Sequence, residues 1–345
     1  MHFTFVIPAY NEEDYIVDTV QSLYPQSLTE STYSIIIVNN SSTDTTEEKL
    51  LSFIEETKAD NVFILNEYVK GIIPARRAGV EKAIELQGVK DHWIVNGDAD
   101  TKYTHDWVAN LLITIAPNPQ TEFIQCIAEG GDLSEYPNIL ALTQPPKDKA
   151  KELIGKNKYL PVDDKVCSYS ANFYRKTGGY NREYYDDIEQ MAETWRMYIK
   201  GKLLGFSRVF CDTNTSIHSK RREKEQFLEL ELGGLETNKL YEQDIRGGGK
   251  DMMSQVETNP KAYITKQDLR NIFLNKIRVL CFTGLLLEKD PILNGTLASL
   301  NNDMTAFLKS EAHSNLYLFE PGWVFRDAAR LTAKLNDKLC DLADF

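Results

Sequence analysis

Over the first hundred residues, short apolar runs alternate with amphipathic stretches, and that alternation leaves few folds open. "FTFVIP" (3–8) is apolar and bounded by Pro8, and "YSIIIVNN" (33–40) is continuous enough for a strand buried on both faces. "NVFILNE" (61–67) and "HWIVNGD" (92–98) read as two further strands. Between them, "NEEDYIVDTVQSL" starts on Asn11 as a cap and puts Ile16, Val20 and Leu23 on one helical face. "SSTDTTEEKLLSFIEET" supplies caps, first-turn acids and a Leu50, Leu51, Ile54 stripe, and "PARRAGVEKAIELQ" places Pro74 near the start of a third helix. Strand and helix in alternation predict right-handed βαβ units in a parallel sheet. Ligands of such sheets bind beyond the carboxyl ends of the strands. Here those ends are "PAYN", "VNNSSTD", "NEYVKG" and "NGDADT", each turning polar where its strand stops.

After residue 120 the pattern loosens. "TQPPKDKAKELIGKNK" (143–158) reads as a Pro- and Lys-rich loop. A Gly-Gly turn at 178–179, an acidic loop, a helix from about Glu189 to Lys200 and a strand over 203–210 follow, and the chain then reads as helical to its end. "RGGGKD" (246–251) marks a boundary or loop. At 345 residues the chain fits one large α/β domain with a helical extension. Within the extension, 269–288 is apolar on more than one side, and Val324, Ala328, Leu331, Leu335, Leu339 and Leu342 form a stripe suited to core packing, homodimer pairing or docking on a membrane-associated assembly.

Charge and cysteine content narrow the function. Lys plus Arg number 39 against 51 Asp plus Glu, a net charge of -12 that argues against nucleic acid as the main partner. Five cysteines without a CxxC pair suggest neither a disulfide framework nor a thiolate zinc site, which fits a reducing cytoplasm. No run of 18 apolar residues exists, so membrane contact is expected to be peripheral at most.

"NGDADT" sets Asp98 and Asp100 one residue apart behind Gly97. An isolated pair of this kind reads as turn residues; a turn that brings both acids together would also suit Mg²⁺ or Mn²⁺, which relieves their repulsion. The aspartyl-phosphatase pattern fails because Lys102 stands where Thr or Val is needed. Neither a phosphate-cradling GxxxxGK[ST] loop nor GxGxxG occurs.

Taken in order, "VIPAYNEEDYI", "IIIVNNSSTDTT", "KGIIPARRAG" and "IVNGDADT" resemble the family 2 glycosyltransferases of the GT-A fold. The likeness covers roughly residues 3–105 and, more loosely, continues to about 222. It implies a Rossmann-like α/β fold: a GT-A catalytic domain over 1–222, with a nucleotide-sugar part to about 105 and an acceptor part from 106, and a helical extension over 223–345.

The resemblance implies a nucleotide-sugar donor (UDP-, GDP- or dTDP-linked), a saccharide or lipid-linked acceptor and Mn²⁺ or Mg²⁺. Pro8, Ala9, Tyr10 and Glu12 would hold the nucleoside. Asn39 and Asn40 replace the two acids of the family's "DDGSTD", leaving the base unnamed. Arg76 matches the family's arginine near the base or the donor phosphates, and its neighbour Arg77 reads as a solvated surface residue. Asp98 would contact ribose or metal, Asp100 the metal, and His218 would be a third ligand. Counting back from Arg196 places Glu189 and Gln190 at the family's acid pair, so the base falls to Glu189 or Asp187, with Asp186, or no base at all, as alternatives. Asn172 in "SAN" fits a sugar contact. Inversion and a role in bacterial surface polysaccharide or lipopolysaccharide synthesis are the family expectation. The rivals are a nucleotidyltransferase, against which the acidic "PAYNEED" argues, and a degenerate sugar-binding scaffold.

Overall fold

A computed structural model describes residues 1–26, 32–129, 136–154, 162–182, 184, 185, 188, 189, 193–219 and 249–282. The chain divides into two compact units. The first comprises 1–130 and 162–218; the second comprises 131–161 and 219–345. Within the second unit, residues 137–154 pack with 249–282.

In the first unit the strands β1 (His2–Ala9), β2 (Thr32–Asn39), β3 (Val62–Asn66), β4 (His92–Asn96), β5 (Thr101–Tyr103), β6 (Phe123–Glu129), β7 (Cys167–Ser170) and β10 (Arg208–His218) make one sheet in the order β3-β2-β1-β4-β7-β6-β10-β5. The four amino-terminal strands are parallel, as the alternation predicts, and β7 enters antiparallel to β4 and β6. A separate hairpin pairs β8 (Tyr184–Tyr185) with β9 (Ile188–Glu189). Helices α1 (Ile16–Leu23), α2 (Thr46–Thr57), α3 (Ile72–Gln87), α4 (Trp107–Ile115), α6 (Ala171–Lys176) and α7 (Glu193–Leu203) join the strands.

One core cluster packs Phe3, Phe5 and Ile7 of β1 with Ile35 and Ile37 of β2, Val20 of α1, Leu50 of α2 and Trp107 of α4. On the opposite face α3 lies close against the sheet because Gly79 has no Cβ. An added Cβ would stand 2.4 Å from a Val6 methyl and 2.8 Å from one of Val38. That close approach delivers Arg76, one turn earlier, to the sheet's carboxyl edge.

Local readings fail where tertiary contacts win. Asn11 does not cap α1; it adopts φ 56°, and its side-chain oxygen accepts the Thr43 N–H at 2.8 Å. The helix expected from Glu189 starts at Glu193, and the strand expected over 203–210 runs over 208–218. "TQPPKDKAKELI" is helical, part of α5 (Pro137–Ile154), with Pro145 and Pro146 inside it.

In the second unit Glu257 of α8 (Gly249–Thr258) receives the N–H groups of Asn138 and Ile139 at 2.8 and 3.0 Å. A carboxylate there satisfies donors that the first turn of α5 leaves open. Ile139 of α5 packs with Val256, with Ile264 after α9 (Pro260–Tyr263), and with Ile272 of α10 (Lys266–Phe282). These contacts hold a helix whose prolines disfavour it locally. The stripe at 324–342 lies outside the described residues. No helix among the described residues is long and apolar enough to cross a membrane.

At the sheet's amino edge, away from the strand ends that carry the motifs, a directional hydrogen-bond chain crosses three strands. His92 Nδ1 lies 2.8 Å from the Gly88 carbonyl, which can only accept, so Nδ1 carries the proton and Nε2 accepts from Thr4 at 2.9 Å. Ser34 then donates to Thr4 and accepts from His2 Nε2, each at 3.1 Å, and Thr32 donates to His2 Nδ1 at 2.7 Å. In this direction the chain requires a neutral His92. Burial lowers both pKa values, that of His2 to about 4, with the neighbouring His92 adding to the shift. The unfolded chain therefore binds more protons below its histidine pKa of 6.5. Stability is predicted to be complete above that pH and to fall as pH drops from there toward about 4. Urea midpoints measured across this range test it: His92→Gln should flatten the profile, and an unchanged profile would contradict the assignment.

Candidate active site

Turns at the ends of β1 and β2 are laced together before any ligand arrives. Ala9 O accepts the Asn40 N–H at 2.9 Å, the Glu12 N–H donates to Thr46 Oγ1 at 2.8 Å, and the Glu13 N–H donates to Asp44 at 3.2 Å. Pro8 and Ala9 end β1, and Tyr10 stands half-exposed beyond them with Lys70 Nζ 5.6 Å from its ring centre.

The paired amides have distinct tasks. Asn39 donates to Glu47 at 2.8 Å and accepts the Ser42 N–H at 3.1 Å. Asn40 donates to both Glu67 O (3.0 Å) and Val69 O (2.8 Å) and accepts the Gly71 N–H at 2.8 Å, so one side chain closes the loop after β3. An ionised aspartate has no donor for those two carbonyls.

Arg76 is the centre of the site. It is 1% exposed, and its Nη2 lies 2.8 Å from Asp98 and 3.1 Å from Asp164, while Nε lies 3.3 Å from Glu193. Nη1 donates to the Asp164 carbonyl at 3.3 Å. One guanidinium thus gathers carboxylates from the end of β4, the segment before β7 and the first residue of α7. Buried this way, it spends its hydrogen bonds on protein oxygens beside the strand ends.

Below the cluster, Asn96 donates to the Tyr180 hydroxyl at 2.7 Å and accepts from Tyr169 at 3.0 Å, and Thr194 lies 3.1 Å from Tyr180. Beside it, Tyr103 accepts the Asp98 N–H at 2.9 Å and donates to Lys165 O at 3.2 Å. Gly97 makes room for that phenol, since a Cβ there would meet its oxygen at 3.0 Å.

The Asp98 side chain is crowded by protein yet 30% exposed at its outer edge. Burial drives its pKa upward, Arg76 pulls it down, and Asp164 and Asp100 push it up again. Asp98, Asp164 and Glu193 surround Arg76, and Lys165 pairs with Asp163 at 3.1 Å. Carboxylate oxygens of this kind fit a hard divalent cation. Among the described residues, however, no three His, Cys, Asp or Glu side chains already form a metal-binding group. His218 ends β10 opposite Thr101, next to Asp100 in sequence, without completing such a group.

Glu189 lies in the β8–β9 hairpin, and Asp187 lies outside the described residues. Asn172 donates to Glu122 at 2.9 Å, which engages the side chain expected to touch sugar. Sequence reading missed Asp164, Lys165, Glu193, Tyr103, Tyr180 and Thr194. The available signal was polarity at buried positions: Glu193 and Thr194 face inward at the start of a helix.

Removing the guanidinium should strand three carboxylates. Arg76→Met is expected to cost about 3–5 kcal/mol, and Glu193→Gln in that background should recover part of it, because the two positions share one contact. Urea denaturation of the single and double variants measures the coupling; strict additivity would refute the cluster.

A family model described as "Glycosyl transferase family 2" matches residues 4–177. Among solved structures, the chain is similar to mannosyltransferase PcManGT from Pyrobaculum calidifontis in complex with GDP-Man and Mn²⁺, at 15% identity over 98% of this chain and 87% of that one, TM-score 0.48. It is similar to S. aureus TarS 1–349 in complex with UDP-GlcNAc at 16% identity over 89% and 88%, TM-score 0.43. It is also similar to GalNAc-T7 with UDP, GalNAc and Mn²⁺ at 18% identity over 63% of this chain, TM-score 0.45, and spans 44% of that longer chain. No curated protein matches the sequence.

Proposed function

The chain belongs to glycosyl transferase family 2, and from that premise we propose a metal-assisted, inverting transferase acting from a nucleoside-diphosphate sugar onto a saccharide or lipid-linked hydroxyl in surface polysaccharide or lipopolysaccharide synthesis. The observation that carries this reading is the Arg76 cluster, which holds Asp98 at the carboxyl edge of β4 beside the laced ends of β1 and β2.

Tyr10 offers its half-exposed ring to the base, and Pro8, Ala9, Glu12, Asn39 and Asn40 form the turns that shape the nucleoside site. Asp98 and Asp100, with His218, would hold Mn²⁺ or Mg²⁺. Held by these residues, the ion would supply charge neutralisation for the departing diphosphate. Arg76 acts indirectly by fixing the Asp98 carboxylate, and Glu193 ties the start of α7 to the same guanidinium. Proton removal from the acceptor hydroxyl is assigned to Glu189 or Asp187, whose loop precedes α7. Since Glu193 is buried against Arg76, it serves in positioning.

Thermal shifts with UDP, GDP, CMP and dTDP, each with and without Mn²⁺, test the donor site without a known acceptor. A ligand at a hundredfold its Kd stabilises by about 2.7 kcal/mol, so one nucleotide should raise the melting temperature by several degrees in a metal-dependent way, and Asp100→Asn should abolish the rise. No shift with any nucleotide would remove the reading.

A further inference from the structure

The ammonium of Lys165 stands at the sheet's carboxyl edge with no role in the roles assigned above. Strand β7 runs antiparallel to β4, with Trp93 opposite Ser170 and Val95 opposite Ser168. Carried on to the strand ends, that register sets Lys165 opposite Asp98. The Tyr103 hydroxyl fastens the two backbones together, accepting the Asp98 N–H at 2.9 Å and donating to the Lys165 carbonyl at 3.2 Å. Both side chains stay partly open, Lys165 to 23% and Asp98 to 30%.

The bonds of this lysine are few and local. Its Nζ lies 3.1 Å from Asp163 Oδ1, and the same oxygen takes the Lys165 backbone N–H at 3.0 Å. An ammonium has three donors, so this ion pair leaves it others for a ligand. Burial lowers the Lys165 pKa, but Asp163, Asp164 and Asp98 more than offset it and keep the group charged. Arg76 differs, since its contacts with Asp98, Asp164 and Glu193 tie three parts of the chain to one another. Position across the sheet adds to this. The strands run in the order β2-β1-β4-β7, so Lys165 stands one strand beyond Asp98, on the side away from the turns after β1 and β2. A donor laid across that edge with its nucleoside on those turns would bring its distal phosphate toward Lys165.

We propose that Lys165 hydrogen-bonds the β-phosphate of the donor and stabilises the nucleoside diphosphate as it leaves. This contact rests on the transferase reading of the strand ends and adds a protein cation to it, in the place near the donor phosphates that the resemblance gave to Arg76. In transfer, the bond between the anomeric carbon and the β-phosphate oxygen breaks, and its electron pair stays on that oxygen. The acceptor oxygen forms the new bond to the carbon, and its proton passes to the carboxylate base. Negative charge grows on the β-phosphate, so an ammonium placed there binds more strongly as the bond breaks.

Calorimetric titrations of UDP, GDP and dTDP in excess Mn²⁺, each beside its monophosphate, read the contact as the ratio of diphosphate to monophosphate affinity. Lys165→Met should weaken binding of the preferred diphosphate by about tenfold or more, the effect of losing one charge-assisted hydrogen bond, and leave the matching monophosphate unchanged. Lys165→Arg should restore part of the loss. Asp163→Asn breaks the ion pair but keeps an oxygen for the Lys165 N–H, and diphosphate affinity should hold or rise. A lysine that only braces the entry to β7 would instead give the same loss in Lys165→Met and Asp163→Asn. Melting temperatures of the free variants show whether each is folded, and Lys165→Gln serves if Lys165→Met is not. Equal losses for diphosphate and monophosphate, or no loss in Lys165→Met, would overturn the contact and leave the donor site standing. Failure of every nucleotide to bind the wild type would remove the donor site and the contact with it.

Discussion

A single buried cation organises this molecule's carboxyl edge. Arg76 cannot lose its proton at any ordinary pH, so its burial demands anionic partners, and three parts of the chain distant in sequence supply them. The consequence is geometric. The end of β4, the entry to β7 and the start of α7 converge because each sets a carboxylate against the same buried guanidinium. Asp98 is held by side chain and backbone together, through the guanidinium and through the Tyr103 hydroxyl. A carboxylate fixed from both sides would lose little freedom on taking a ligand, which is what preorganisation requires.

The two asparagines at the end of β2 show how the family pattern can change without losing its frame. Asn40 uses its amide to donate to two carbonyls of the 67–69 loop while its oxygen receives Gly71. An aspartate would set negative charge against those carbonyls. The substitution therefore trades an acceptor-only side chain for a brace, and the loop it braces leads into α3 and hence into Arg76. Nothing in this arrangement depends on a degenerate site.

What the sequence made legible follows from the range of the forces involved. The parallel β1–β4 core was readable because burial on both faces writes itself into each strand as a continuous apolar run, and Asp98 was readable as part of an ordered series of strand ends. Asp164 and Glu193 were not, because their roles depend on a partner 88 and 117 positions away in a chain whose local pattern had become irregular. Glu193 opens a helix that begins four residues later than its apolar pattern suggested. Pro145 and Pro146 argued correctly for a poor local helix; Glu257 and the apolar contacts of Ile139 overrule them.

The carboxylates beside Arg76 are proposed to take a divalent cation together with a nucleoside diphosphate. Electron paramagnetic resonance of free Mn²⁺, titrated into wild type and Asp98→Asn with and without the nucleotide that gives the largest thermal shift, addresses it directly. The account predicts that the nucleotide tightens Mn²⁺ binding in the wild type, and the metal tightens nucleotide binding by the same factor, with both effects lost in Asp98→Asn. Mn²⁺ binding that is unchanged by nucleotide, or unchanged by the substitution, would contradict it.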